Sequence, residues 1–296
     1  MLNVAKISGA DAASFLQGQL TSDVLKLDNN WQYTGYCSPK GRLLLSGILY
    51  KVADDFFLIF AADLEDVVGK RLKMFVMRSK VDIQIYPAKM VVHDAMVDPS
   101  LPADANPDHG VLQVDQTHIL SMGDKRLHLE PLTEAQPIHA QNLQHLQALF
   151  VTRGFAMITA PTSEAFVPQM INLDLIGGVS FKKGCYTGQE IVARMHYLGK
   201  PKQRLFLLGP TSESTVDFKT VSVGTKLHSV SLESQSNAAG SDPVSNSDAG
   251  TIVSVDHASQ TMLAVVRISE LANLLFPSEL PDLHLQLREM PYPVIT

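Results

Sequence analysis

The stretch Phe181–Glu190, FKKGCYTGQE, packs two lysines, two glycines, a cysteine and an acid into ten residues. No other segment is as hard to explain as ordinary core or surface. Thr187 followed three residues later by Glu190 fits the capping box T-x-x-E, in which each side chain satisfies a backbone N–H at a helix start. Ile191, Val192 and Met195 then supply an apolar face, and Gly199 and Pro201 a stop. The spacing predicts a helix from Gly188 to Leu198, with Glu190 as a capping residue and Thr187 as its partner.

Cys185 lies just before this helix start, near the positive end of the helix dipole. Lys182 and Lys183 flank it. Both effects favour thiolate over thiol. Gly184 and Gly188 remove side chains on both sides, so a ligand can approach the backbone closely. Two readings of Cys185 stand on these residues: a working or ligand-contacting thiol, and a small buried hydrophobe. From Phe181 to Arg204 there are six lysines or arginines and one acid, Glu190. In a chain of net charge −6 this is a local reversal. It suits an anionic ligand, a carboxylate tail or a phosphate, or else it is a solvated face.

Outward from this stretch the chain alternates strand and helix signals. An amphipathic helix is expected after Asp11, with Phe15, Leu16, Gln19 and Leu20 at helical spacing. Gly41–Val52 and Phe56–Ala62 read as two buried strands joined by a short turn. Leu64, Val67, Val68, Leu72 and Phe75 trace one helix face ending near Arg78. Lys80–Tyr86 alternates like a strand. Asp98–Gly110, rich in Pro and Asp, reads as a loop. Gln141–Arg153 is helical, with Leu143, Leu146, Leu149 and Phe150 inward. Strands and helices mix without a strict βαβ rhythm, so the fold class is α+β. After Arg204 short strands dominate, which predicts a small barrel or sandwich. Ser229–Asp248 carries seven serines in twenty residues and is expected to be a flexible loop.

The bulk numbers narrow the classes. Forty-five per cent hydrophobic and 18 per cent charged residues describe a globular protein with a sizeable core. A length of 296 residues suits about two domains. No apolar run approaches the roughly 20 residues that span a bilayer, and the N-terminus lacks a secretory pattern. A cytoplasmic protein with no membrane partner is expected. Two cysteines and scattered histidines give no zinc motif, so no stably bound metal is expected.

Ser180–Arg194, SFKKGCYTGQEIVAR, resembles the signature of the YgfZ proteins, folate-binding relatives of the glycine-cleavage aminomethyltransferase. Phe15–Val24, Tyr36–Leu44, Arg78–Val81 and Phe166–Phe181 resemble further family segments in the expected order. The resemblance implies an aminomethyltransferase-like folate-binding fold of small α+β lobes around a central hole, over residues 1–200. It places a C-terminal β-barrel over residues 201–296. It implies tetrahydrofolate as ligand. The implied partners are iron–sulfur enzymes or cluster-assembly proteins, with RNA reached indirectly through those enzymes. The signature cysteine maps onto Cys185. Lys183, Tyr186, Gln189 and Glu190 map onto its neighbours, and Arg194 closes the motif. A carboxylate such as Glu190 suits the pterin amino group and ring N–H, and Lys182, Lys183 or Arg194 suit a folate carboxylate tail. Tyr186 or Tyr36 suits stacking on the pterin.

The departures from the family pattern bear on the reaction. Aminomethyltransferases carry a functional aspartate on the strand that corresponds to Gly41–Tyr50, where Leu45 and Ser46 stand here. Without that carboxylate no glycine-cleavage activity is expected. Tryptophans of some bacterial relatives align with Leu2 and Leu146, and the only tryptophan is Trp31. The leading expectation is a tetrahydrofolate-binding accessory factor for assembly or repair of iron–sulfur enzymes, affecting tRNA thio-modification indirectly. The alternatives are an RNA- or protein-binding module without folate dependence and a diverged aminomethyl transferase. One thiol is too few to hold a cluster, which takes about four ligands. No interface pattern stands out, and a monomer is expected.

Overall fold

The computed structural model describes residues 1–77, 79–95, 110–131, 140–212, 218–231 and 247–295. Most of the loop expected over 98–110 and most of the serine-rich 229–248 segment lie outside the described residues. Eight strands form one sheet: β1 (Leu2–Ser8), β2 (Trp31–Cys37), β3 (Leu43–Val52), β4 (Asp55–Ala61), β5 (Asp82–Asp94), β6 (Val111–Val114), β7 (Thr117–Met122) and β8 (Lys125–Pro131). They run β2-β3-β4-β1-β5-β8-β7-β6 across it. The two buried apolar runs are β3 and β4, paired antiparallel from Ile48↔Ile59 to Val52↔Asp55. Strand β5 is longer than its alternating start suggests. Its first half pairs with β1 and its second, Ala88–Asp94, with β8. One thirteen-residue strand thus joins two sub-sheets.

Among the described residues four α-helices accompany the strands: α1 (Ala12–Gln17), α2 (Glu65–Val76), α3 (Ala140–Thr152) and α4 (Gln189–Leu198). Helix α1 is shorter than expected, and Gln19 and Leu20 lie beyond it. Asp11 makes no side-chain cap there; its carboxylate accepts from the Lys80 backbone N–H at 2.7 Å. On α2 only Val68 and Leu72 are buried, while Val67 and Phe75, expected inward, are exposed. A helix laid on a sheet by one narrow stripe buries the i, i+4 row and leaves its flanks in water. Helix α3 buries Leu146, Leu149 and Phe150 as its spacing predicts, while Leu143, also expected inward, is half-buried.

The C-terminal strands β9 (Gln203–Pro210), β10 (Lys226–Val230), β11 (Ser247–Asp256), β12 (Thr261–Arg267), β13 (Leu274–Pro277) and β14 (Leu285–Arg288) close into a barrel, β10-β11-β12-β9-β14-β13. Strand β12 shows how it is seated. Met262, Ala264 and Val266 belong to the barrel's own core, while Leu263 and Val265 belong to the larger core of the sheet and helices. Side chains of a strand alternate between faces, so an unbroken apolar run is what a strand buried on both faces requires. Arg204 at the start of β9 holds Asp174 through two hydrogen bonds, 2.7 and 3.1 Å, with both side chains at most a tenth exposed. This pair fixes the barrel to the segment before it.

Candidate functional site

The Phe181–Glu190 loop is built against two earlier segments. Lys183 Nζ donates to the backbone carbonyls of Leu20 and Ser22 at 2.7 and 2.8 Å, and lies 5.2 Å from the Tyr186 ring centre. Burial lowers its pKa to about 8, with Asp23 opposing. The Thr21 hydroxyl donates to the Gly178 carbonyl at 2.6 Å and accepts from the Gly35 N–H at 2.8 Å. Segments far apart in sequence, 20–22, 35–41 and 178–188, thus meet in one place. Tyr186 is buried there, and burial pushes its phenol pKa up. Cys37 is buried as well, its thiol pushed up to about 12.

The start of α4 corrects the sequence reading. Its N-cap is Gly188, at φ +80, and no side-chain cap hydrogen bond forms. The capping box of Thr187 and Glu190 is therefore absent. A Cβ at Gly188 would stand 2.4 Å from the Ser38 carbonyl oxygen, and one at Gly41 would stand 2.8 Å from Ile191 Cβ. The helix entry is set by backbone packed on the Ser38–Gly41 turn, in a left-handed conformation that glycine adopts freely. Only Val192 of the expected apolar face is buried; Ile191 is 38% exposed.

Two cavities open elsewhere, and they share Arg153 and Pro291. The first, about 490 Å³, is lined by Trp31, Tyr33, Ile176 and Tyr292 among others. The second, about 560 Å³, is lined by His93, Asp94, Asp124, Lys125 and His145. Tyr33 stacks on Phe155 with ring centres 4.3 Å apart, and the Trp31 indole donates to the Ser121 carbonyl at 2.6 Å. The Tyr292 hydroxyl donates to the Gly154 carbonyl at 2.6 Å, and burial pushes its pKa up to about 12. Arg153 pairs with Asp124 and donates to the Met122 carbonyl, and Lys125 pairs with Asp94. One cavity therefore offers aromatic faces, and the other carries two cations, Arg153 and Lys125, each paired with a carboxylate.

None of the six residues singled out in the sequence lines either cavity. Cys185, Glu190 and Arg194 are exposed, Lys183 and Gln189 are intermediate, and Tyr186 is buried. They stand together on one loop and helix start, so Cys185 is a surface thiol rather than a small buried hydrophobe. Of the six basic residues from Phe181 to Arg204, Lys183 and Arg204 are engaged internally. Lys182, Arg194, Lys200 and Lys202 are exposed. Tyr36, the other stacking candidate, is buried in the core.

Sequence reasoning missed Arg153, Lys125, Tyr33 and Tyr292. A signal existed for one pair only. Trp31 and Tyr33, two residues apart on a strand, present their rings to the same face. Leu2 and Leu146, the positions expected to match family tryptophans, come to one place. They line a third cavity of about 120 Å³ with apolar walls, between α3 and β11. On β3, where the family resemblance led to the expectation of an aspartate, Leu45 and Ser46 are fully buried. The Ser46 hydroxyl donates to the Ala156 carbonyl at 2.6 Å and accepts from the Ile158 N–H at 2.8 Å. The position is a structural stitch with no carboxylate. Among the described residues no cluster of three or more His, Cys, Asp or Glu is arranged to hold a metal, and no helix is long and apolar enough to cross a membrane.

No family model matches the chain. Its fold is similar to that of glycine cleavage system aminomethyltransferase T from Bartonella henselae, with a TM-score of 0.71 at 14% identity. That likeness covers 98% of this chain and 83% of the other. Curated relatives share more sequence. The tRNA-modifying protein YgfZ of Colwellia psychrerythraea is 33% identical over 231 residues, 70% of this chain and 69% of the relative. That of Enterobacter sp. is 34% identical over 228 residues, 69% of this chain and 68% of the relative. With this fold, and with a third of the sequence shared over two thirds of those relatives, the chain belongs to the YgfZ family.

Proposed function

We propose that this protein binds a reduced folate in the paired cavities and acts as an accessory factor for iron–sulfur enzymes of the cytoplasm, through which it supports tRNA modification. One observation carries the reading: an aromatic cavity and a cation-bearing cavity meet at Arg153. A folate has the matching two ends, a flat pterin and a carboxylate tail. The pterin lies against Trp31, Tyr33 and Tyr292, and the tail reaches Arg153 and Lys125, displacing Asp124 and Asp94. The residues present fit the group at both ends. Glu190, expected to hold the pterin amino group, belongs in this reading to the exposed face instead. Bound folate brings a reduced ring able to carry a one-carbon unit or electrons. The protein supplies the orientation and the exclusion of water.

Cys185 serves a partner on this reading. Its thiol is exposed on a glycine-flanked loop at a helix start, and it supplies at most one of the roughly four ligands that a cluster takes. Aminomethyl transfer is disfavoured, because the buried Leu45 and Ser46 stand where the carboxylate that would manage the proton at the folate amine is expected. Calorimetric titration of the purified protein with tetrahydrofolate tests the proposal. Saturable binding supports it. A flat titration overturns its folate half.

A further inference from the structure

The face beside Cys185 carries features that a folate cavity does not use. The Phe181 and His196 rings stack at 3.6 Å with planes 11° apart, and Tyr197 meets the His196 ring edge-on at 4.8 Å. Tyr197 is 65% exposed. Lys182 adjoins the first ring in sequence, Arg194 lies on the same helix, and Lys200 and Lys202 follow its end. All four are exposed, and none is in an ion pair among the described residues. Four exposed cations close together in sequence, against the single acid Glu190 and in a chain of net −6, suit an anionic partner.

We infer that this face is a docking surface for single-stranded or looped RNA, with Tyr197 and the Phe181–His196 stack as the base platform and the four cations as phosphate contacts. Sequence-tolerant binding of single strands combines a cationic track with rings on which bases stack, and both are present on one short helix and its flanks. The C-terminal end of a helix favours cations, so Lys200 and Lys202 also suit the last turn of α4. An acidic protein is the competing occupant, since Ile191 and Leu198 are exposed nearby. The ring stack favours RNA, because a carboxylate has no face to lay on it. The inference does not rest on folate binding.

Fluorescence anisotropy of the full chain with a labelled single-stranded RNA, long enough to cover a site of about 4–16 nucleotides, tests it. Binding is expected to weaken steeply between about 50 and 200 mM salt, with a log–log slope of about −3 for four phosphate contacts. The Lys200→Ala, Lys202→Ala double variant should flatten that slope by about 1.4. Tyr197→Ala should weaken binding about fivefold or more at an unchanged slope, as loss of one stacked base does. These positions are exposed, so thermal melts should match wild type. No RNA binding at the lower salt overturns the inference. So does RNA binding that the substitutions leave intact, or equally tight binding of poly-L-glutamate insensitive to Tyr197→Ala, which would assign the face to an acidic protein. A failed folate titration leaves this result standing, and the reverse holds too.

Discussion

Lys183 and Leu20, 163 residues apart, meet through one hydrogen bond: Lys183 Nζ donates to the Leu20 carbonyl at 2.7 Å. A second bond to the Ser22 carbonyl makes the side chain a clamp between the loop that bears Cys185 and the segment after α1. Lys183→Met removes both and strands two carbonyls in a half-buried place. The expected loss is about 1–3 kcal/mol in urea unfolding. An unchanged midpoint would reduce Lys183 to a surface cation.

The same residue predicts a pH dependence. Burial, with Asp23 opposing, holds the folded pKa at about 8 against an ordinary 10.5. Below about 8 both states carry the proton, and the fold bears the whole desolvation penalty. Between about 8 and 10.5 the unfolded chain keeps a proton that the folded chain has released, so stability rises with pH. The stability of wild type relative to Lys183→Met should therefore grow over that window. A difference flat in pH contradicts the assignment.

Gly188 is the second anchor of the loop. Alanine there must hold φ +80 and place its Cβ 2.4 Å from the Ser38 oxygen. The left-handed conformation alone costs about 1–2 kcal/mol, and the contact adds to it. Gly188→Ala should lower the melting temperature by several degrees, whereas Gly184→Ala, whose Cβ meets nothing within 4 Å, should not. Equal effects at both positions would refute the packing account.

Much of this was legible in the sequence. The β3–β4 hairpin, α3 and α4 follow from apolar runs and 3.6-residue spacing; the short strands after Arg204 left barrel and sandwich open, and the family resemblance pointed to the barrel that forms. The capping box was misread because T-x-x-E is a local pattern, whereas the helix entry is fixed by contact with Ser38, some 150 residues earlier in the chain. Packing decides there, and no local rule reports it. The cavity residues stayed hidden for a related reason. Arg153 follows the end of α3 and Tyr292 lies near the C-terminal end of the sequence, and only tertiary structure brings them together. Cys185 was legible as a candidate thiol. Its exposure, with Cys37 buried, came from the fold.

That contrast between the two cysteines is measurable. A thiol-specific reagent should modify one cysteine rapidly in the native protein and a second only after unfolding. Cys185→Ser should abolish the rapid phase and change stability by no more than about 0.5 kcal/mol, as exposed sites do. Two rapid thiols, or none, would contradict the burial described here.

The Arg204–Asp174 pair predicts a larger loss. Asp174→Ala leaves a buried guanidinium with one carbonyl partner, Gln169. Breaking one side of such a pair costs about 3–5 kcal/mol. The barrel should loosen first, read as faster amide exchange along β9. Exchange unchanged at β9 would mean that the seat of the barrel is held by apolar packing alone.

The proposed folate site is the pair of cavities joined at Arg153, with Cys185 apart from it. The most direct measurement is a tetrahydrofolate titration by calorimetry on wild type, Arg153→Ala and Cys185→Ser in parallel. The account predicts saturable binding in wild type and Cys185→Ser with equal affinity, and a loss of about tenfold or more in Arg153→Ala, as expected when a charge-assisted hydrogen bond is removed. Binding lost in Cys185→Ser and kept in Arg153→Ala would put the ligand at the surface loop and contradict the account.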